Sequence, residues 1–266
     1  MQKIAIIGYG NMGAAFATAV RSTFPHLPMV VCEKNEERKK TAEHELGEGV
    51  FFADTAQQLS QASVDLVLIA VKPNQLSAIS DLLHACKDSL FLSIMAGVTL
   101  ETLQKSIDSS RVVRMMPNLA AAFQQSATAI CPADGLSEED LQIAQSIAAA
   151  AGKTIVISEA NMASIIGLAG SGIAFAFQFL HAMALGGTKT GLAYQESLEV
   201  VLQTMKGAAT AIENSKIHPA EYVSKVCSPG GTTIEGISAL ENGGFTDTII
   251  KAVHAAAEKS RLMEKG

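Results

Sequence analysis

The sequence is poor in charge. Only 17% of its 266 residues are Asp, Glu, Lys or Arg, and 20 basic against 26 acidic side chains leave a net charge of −6. No basic excess is present to neutralise a phosphate backbone, so a nucleic-acid partner is not expected. The four cysteines, Cys32, Cys86, Cys131 and Cys227, form no CxxC pair and no Cys/His cluster at zinc-ligand spacing. That argues against a metal site and against a disulfide framework, and fits a reducing, cytoplasmic compartment. The start, Met1-Gln2-Lys3, runs directly into an apolar strand and a glycine turn without the apolar region and cleavage site of a secretory signal, so export is not expected. Catalytic histidine arrangements are missing too: His26, His44, His84, His181, His218 and His254 are scattered, with no Ser-His-Asp or HExxH spacing. His181 reads as a satisfied interior side chain and the other five as surface or loop residues. No internal repeat or low-complexity tract is present.

What the chain has in quantity is apolar residues, at 48%, enough to bury a real core. One stretch, Ile165 to Leu185, carries no charge and is long enough to cross a bilayer as a helix. Ser171, Gln178, His181 and its glycines interrupt it, and no cluster of basic anchors flanks it. A helix buried on every side, in a core or between subunits, is therefore expected rather than a membrane span.

Up to Ser158 the sequence alternates short β-branched runs with amphipathic stretches, the pattern of an α/β fold around a doubly wound, mostly parallel sheet. Strands are expected at Ile4–Ile7, Met29–Cys32, Val50–Phe52, Leu66–Ala70, Leu90–Ser93, Val112–Met115, Ala127–Ile130 and Thr154–Ile157. Several are continuous apolar runs, as when helices cover both faces. Ser137 reads as the cap of a helix that opens with Glu138, Glu139 and Asp140. Beyond Ser158 only helices are expected, separated by breaks at Gly186-Gly187, Gly191, Gly230-Gly231 and Gly243-Gly244. Two domains follow, residues 1–158 and an all-helical 159–266, and the apolar helices of the second call for homodimerisation.

Gly8-Tyr9-Gly10-Asn11-Met12-Gly13 lies between the first strand and a helical stretch, the context in which GxGxxG signals dinucleotide binding. The first glycine permits the turn, the second lets backbone approach a pyrophosphate, and the third lets helix pack on strand. The helix N-terminus adds free N–H groups and a partial positive charge. Glu33 stands at the end of the second strand, where an acid accepts from the adenosine ribose of NADH. Lys34, Arg38, Lys39 and Lys40 crowd the same region and can neutralise the 2′-phosphate of NADPH, or form a solvated face with Glu36, Glu37 and Glu43, so both cofactors stay open. At the carboxyl ends of later strands come Ala70-Val71-Lys72-Pro73, Ala96-Gly97 and Met116-Pro117-Asn118, placed to line the nicotinamide half of a cleft.

Ser228-Pro229-Gly230-Gly231-Thr232-Thr233 precedes a helix, and Thr232 with Glu235 has the spacing of a capping box. The two glycines before it expose successive N–H groups at a positive helix end, a nest suited to a small carboxylate. The Thr233 hydroxyl can donate to an atom beside that carboxylate. The scarcity of proton-transfer groups fits hydride transfer to an already protonated imine, which needs positioning more than an enzymic acid.

Taken together, the glycine turn, Ala70-Val71-Lys72-Pro73, Met116-Pro117-Asn118, Gly170-Ser171-Gly172 and above all Ser228–Thr233 with Leu240-Glu241 and Gly243-Gly244 make the chain resemble pyrroline-5-carboxylate reductase almost end to end. The resemblance implies a Rossmann domain followed by a helical dimerisation domain, and an oxidoreductase of proline biosynthesis that uses NADPH or NADH. It implies substrate contacts at Ser228, Gly230, Gly231, Thr232 and Thr233, with the Thr233 hydroxyl near the ring nitrogen as the catalytic contact. Cofactor contacts fall on Gly8, Gly10, Asn11, Met12, Gly13, Glu33, Lys34, Ala70, Val71, Lys72, Pro73, Ala96, Gly97 and Asn118, with Glu159 a weaker candidate for approaching the site. Higher assemblies of dimers are common in the family. The chain departs from the family's pattern at Leu119-Ala120, where Thr-Pro is usual, at Ile173-Ala174-Phe175, where Pro-Ala-Tyr is usual, and at Ala163 and Ile166. These changes make the pocket or interface more apolar and keep two alternatives open: reduction of another cyclic imino acid or small carbonyl compound, and a non-catalytic dinucleotide-binding regulator.

Overall fold

The computed structural model describes residues 3–265, so Met1 and Gln2, the first residues of the start from which no export is expected, lie outside the described residues. Eight strands form one sheet in the order β3-β2-β1-β4-β5-β6-β7-β8. They are β1 Ile4–Ile7, β2 Met29–Cys32, β3 Val50–Phe52, β4 Leu66–Ile69, β5 Leu90–Ser93, β6 Val112–Met116, β7 Ser126–Pro132 and β8 Gly152–Val156. β1, β2, β4, β5 and β6 are buried along their whole length, as continuous apolar runs require when helices cover both faces. All neighbouring pairs are parallel except β6 and β7, where Arg114 faces Cys131 and Met115 faces Ile130 in an antiparallel ladder. The link 117–125 carries only a short 3-10 turn, Leu119–Phe123, too little chain for the dozen or so residues of a parallel crossover.

Helices α1 Asn11–Thr23, α2 Glu36–Leu46, α3 Ala56–Ala62, α4 Ser80–His84, α5 Leu100–Ile107 and α6 Glu138–Ala149 connect the strands. Two apolar clusters result, one on each face of the sheet: Ile4, Ile6, Phe16, Val20, Met29 and Leu68 belong to one, and Ala5, Ile7, Leu59, Phe91, Leu103 and Val112 to the other. The alternation along β1 shows the pleat sending successive side chains to opposite faces. Ser137 caps α6 as expected, its hydroxyl accepting from the Asp140 N–H at 3.1 Å.

Among the described residues only helical elements follow Val156. From Glu159 to Lys189 the helical run is long and apolar enough to cross a membrane, with a mean hydropathy of 1.7 in its most apolar window. It comprises α7 Met162–Ile165, a π-helical turn Ile166–Gly170 and α8 Gly172–Lys189. Then come α9 Tyr194–Ser215, α10 Pro219–Val226, α11 Thr232–Asn242 and α12 Phe245–Lys265.

The packing divides the chain elsewhere than at the change from strand to helix. One compact unit takes the chain through Ser171 together with the end of α12 from Ala255, and a second holds Gly172–His254. Within the second unit Gly186 and Gly187 do not break α8 as expected from sequence. A Cβ on Gly187 would stand 2.5 Å from Ser197 Oγ, so the glycine exists to let α8 and α9 approach closely. Among the described residues of this unit only Ala184, Ser197 and Val201 are buried. Phe177, Val200 and Ile250 are exposed by 53%, 60% and 63%, far more apolar surface than an isolated soluble unit displays. His181, expected in the interior, is exposed for the same reason and pairs through Nδ1 with the Tyr194 hydroxyl at 2.9 Å.

Candidate functional site

A cleft of about 520 Å³ opens at the carboxyl ends of β1, β2, β4 and β5 in the first unit. This is where ligands of doubly wound sheets bind, at the point where strand order reverses on either side of β1. Of the residues singled out from sequence, Gly8, Gly10, Asn11, Met12, Glu33, Lys34, Ala70, Val71, Lys72, Pro73 and Ala96 line it.

The glycines divide their tasks. Gly8 sits at φ +96°, and a Cβ there would be 2.8 Å from Val71 Cγ1 and 3.0 Å from the Ala70 carbonyl oxygen. Gly13 does not line the cleft; its Cβ position lies 2.2 Å from the Gly8 carbonyl oxygen, so it seats α1 on the turn. Gly10 has open space, with nothing nearer to a Cβ than an Arg38 nitrogen at 4.0 Å. It is the N-cap of α1 and no side chain accepts from the first turn. That cradle, with uncapped N–H groups at a positive helix end, fits a pyrophosphate.

At the end of β2 the Glu33 carboxylate accepts from the Tyr9 N–H at 2.9 Å and the Asn35 N–H at 2.9 Å. Arg38 stands 3.8 Å from it. Lys39 is drawn away, donating to Asp54 at 2.6 Å and Glu36 at 2.9 Å, and hydrogen bonding to Asp54 raises its pKa. Lys34, Arg38 and Lys72 are thus the cations lining the cleft. The Tyr9 ring is buried, its hydroxyl donates to Glu45 at 2.8 Å, and burial with that carboxylate raises its pKa. Tyr9 therefore anchors the glycine turn to the end of β2 through its backbone and to α2 through its side chain. Cys32 also lines the cleft, but burial pushes its thiol up to about 12, which removes it as a nucleophile at neutral pH.

Gly97 and Asn118 do not line the cleft. Gly97 takes φ +76° in the bend after β5. Asn118 brackets its own loop: Oδ1 accepts from the Ala120 N–H at 3.1 Å, and Nδ2 donates to the Ala169 carbonyl at 3.2 Å, on the π-helical turn. Glu159 is used structurally, accepting from Leu100 N–H at 2.7 Å and from Arg114 at 3.0 Å. Asp54, Gln75, Ile94 and Met95 also line the cleft. None was singled out from sequence, though each follows a strand end or the Lys72-Pro73 turn, which is the signal that marks them.

In the second unit, Gly230 bends the chain at φ +66° before α11. The expected Thr232–Glu235 capping box is not formed. The N-cap is Gly231, with no side-chain cap bond. A Cβ on Gly231 would lie 2.3 Å from Ser228 Oγ, and its N–H donates to the Ser228 carbonyl at 3.0 Å. The first turn of α11 therefore keeps its N–H groups without a side-chain acceptor, and Thr233 is half-buried within that turn. This arrangement can hold a carboxylate and donate one hydroxyl hydrogen bond beside it. No group of three His, Cys, Asp or Glu able to hold a metal exists among the described residues.

Comparison with known proteins bears on both units. Residues 159–263 match the family model described as pyrroline-5-carboxylate reductase dimerisation, and residues 3–97 match that described as NADP oxidoreductase, coenzyme F420-dependent. The pyrroline-5-carboxylate reductase of Aquifex aeolicus is 35% identical over 98% of this chain and 97% of its own. A solved pyrroline-5-carboxylate reductase from Coxiella burnetii superposes with a TM-score of 0.88 at 27% identity, covering 99% of this chain and 98% of its own. The Plasmodium falciparum pyrroline carboxylate reductase, solved with NADP bound, shares the fold with a TM-score of 0.86 at 24% identity, covering 98% of each chain.

Proposed function

This chain belongs to the pyrroline-5-carboxylate reductase family, and on that premise we propose that it reduces 1-pyrroline-5-carboxylate to L-proline. The observation that carries the reading is the bare first turn of α11, preceded by a glycine bend and backed by Ser228. The N–H groups of Gly230 and Thr232 hold the substrate carboxylate, and the Thr233 hydroxyl lies beside the ring nitrogen, donating to the lone pair that forms there as hydride adds to the imine carbon. NADPH or NADH, held by the Gly8–Gly13 turn, supplies the hydride when bound. The chain's own contribution is orientation and charge management; no general acid is required, because the imine enters protonated.

The helical half makes a homodimer, which covers the apolar faces of α8, α9 and α12. That surface, with the family match over 159–263, supports the pairing. Four free thiols suit the cytoplasm. The nucleotide contacts are those of the cleft in the first unit, with Glu33, Lys34 and Arg38 at its adenosine end.

The test is oxidation of each reduced nicotinamide cofactor with racemic 1-pyrroline-5-carboxylate, repeated on Thr233→Ala. The hydroxyl's loss should lower kcat by about tenfold if its bond strengthens in the transition state by about 1.4 kcal/mol. Faster turnover of a six-membered ring imine would move the substrate assignment. Tight cofactor binding with no oxidation on any imine would leave a non-catalytic dinucleotide-binding protein.

A further inference from the structure

Arg114 sits in the middle of β6 with no exposed surface, pointing to the same face of the sheet as Val112 and Met116. It donates to Glu159 at 3.0 Å and to Glu264 at 2.5 Å, carboxylates from segments 45 and 150 residues further along the chain. Its Nε is buried without a partner. A buried cation of this kind holds its partners firmly, because losing one leaves charge uncompensated.

Both partners lead to the bend after β5. Glu159 also accepts from the Leu100 N–H at 2.7 Å, the start of α5. Next to Glu264, Met263 lies against Gly97: a Cβ on that glycine would be 3.6 Å from Met263 Cβ and 3.8 Å from its carbonyl oxygen. The bend Ala96-Gly97 is thus held from the outside by the last turn of α12 and from its far end by Glu159, and Arg114 ties the two together. Ala96 lines the nucleotide cleft on the β5 side of β1. In a doubly wound sheet the adenosine half occupies the β2 side, so β5 borders the nicotinamide half.

We infer that Arg114 is a positioning residue which, through Glu264 and Glu159, sets the Ala96–Gly97 bend against the nicotinamide end of the bound dinucleotide. The inference rests on the dinucleotide reading of the cleft given above. Its consequence is selective: loosening the clamp weakens recognition of the nicotinamide and leaves the adenosine half alone.

Calorimetric titration of the full-length protein separates these, using the preferred reduced dinucleotide and, as the matching probe without nicotinamide, ADP-ribose or its 2′-phosphate. Glu264→Gln removes one charge at a side chain of the last helical turn, and Met263→Ala removes the side chain beyond Cβ, including the Cε that stands 3.9 Å from the Gly97 Cβ position, while leaving the ion pairs. Each should weaken the dinucleotide by about fivefold or more, the scale on which a slackened support shell acts, and leave the ADP-ribose probe within about twofold. Thermal unfolding run alongside keeps the comparison to folded protein, and if Glu264→Gln unfolds, Met263→Ala carries the test. Equal weakening of both probes would mean a general structural role, and no weakening of either would mean a clamp without effect on the site; both overturn the inference. Wild-type protein that binds the ADP-ribose probe as tightly as the dinucleotide would overturn it as well. Wild-type protein that binds neither probe would instead refute the dinucleotide reading itself, and this inference with it.

Discussion

Adding one methyl group to Gly10 and one to Gly13 should produce opposite defects. At Gly13 the new carbon would stand 2.2 Å from the Gly8 carbonyl oxygen and 3.1 Å from Ala70 Cβ, so backbone has to move. Overpacking of that kind costs about 1–3 kcal/mol, which for a unit of this size lowers the unfolding temperature by roughly 2–12 °C. At Gly10 the nearest atom is 4.0 Å away and the backbone is extended, φ −81° and ψ −175°, so alanine fits the free protein. Reduced unfolded-state entropy favours Gly10→Ala by about 0.4–1 kcal/mol, and alanine's weakness as an N-cap offsets a similar amount. Its methyl group nevertheless occupies the space a pyrophosphate needs, so dinucleotide affinity should fall by about tenfold or more, equivalent to 1.4 kcal/mol. Differential scanning fluorimetry and titration of protein fluorescence with each cofactor read the two quantities on the same samples. Gly10→Ala with undiminished binding, or Gly13→Ala with an unchanged unfolding temperature, would refute the division of labour in the turn.

Two further outcomes follow from geometry outside the cleft. Arg111 grips Asp140 through Nε at 2.9 Å and a terminal nitrogen at 2.7 Å, and this hydrogen bonding holds the Asp140 carboxyl below the usual carboxylate range. The bridge's contribution is complete above about pH 4, the ordinary value, and disappears as pH falls through the lowered one. Asp140→Asn should therefore cost about 1–3 kcal/mol at pH 7, with the deficit against wild type shrinking toward pH 3 in thermal melts; a constant deficit across that range would contradict it. Val200→Glu and Ile250→Glu place charge on apolar side chains exposed by 60% and 63% in one copy. Such changes are nearly neutral on a free surface, within about 0.5 kcal/mol, but should break the dimer. Sedimentation of wild type at a multiple of 27.8 kDa and of the variants at that mass is the expected result; a monomeric wild type would sink the pairing.

Much of the first unit was legible because its strands obey a strong constraint. A strand covered on both faces reads as a near-continuous apolar run, as the buried β1, β2, β4, β5 and β6 do, while no residue of β3 or β8 is buried; all eight lie at the expected positions, with ends displaced by a residue or two at β4, β6, β7 and β8. The reversal between β6 and β7 depends on the short link 117–125, which reads as loop chemistry either way. Gly186 and Gly187 look like loop glycines, and only Ser197 on the neighbouring helix shows why Gly187 is there. Thr232 gave up the capping position to Gly231, because spacing alone does not choose between two adjacent caps. Asn118 illustrates the limit for site residues: its side chain has the right chemistry for a ligand, and its hydrogen bonds go to Ala120 and Ala169. Arg38 was visible only as one of several cations; the pairing of Lys39 with Asp54 is what distinguishes it.

The ion triad on β6 also bears on how the protein is made. Arg114 is synthesised 150 residues before Glu264, so the sheet that buries it lacks one counter-charge until α12 has emerged. A fragment cut at the change from strand to helix, after residue 158, would lose Glu159 as well and keep a guanidinium in its interior with neither carboxylate. Folding of the nucleotide-binding unit therefore waits on the far portion of the polypeptide, and severing the two halves should yield an insoluble product rather than an autonomous module.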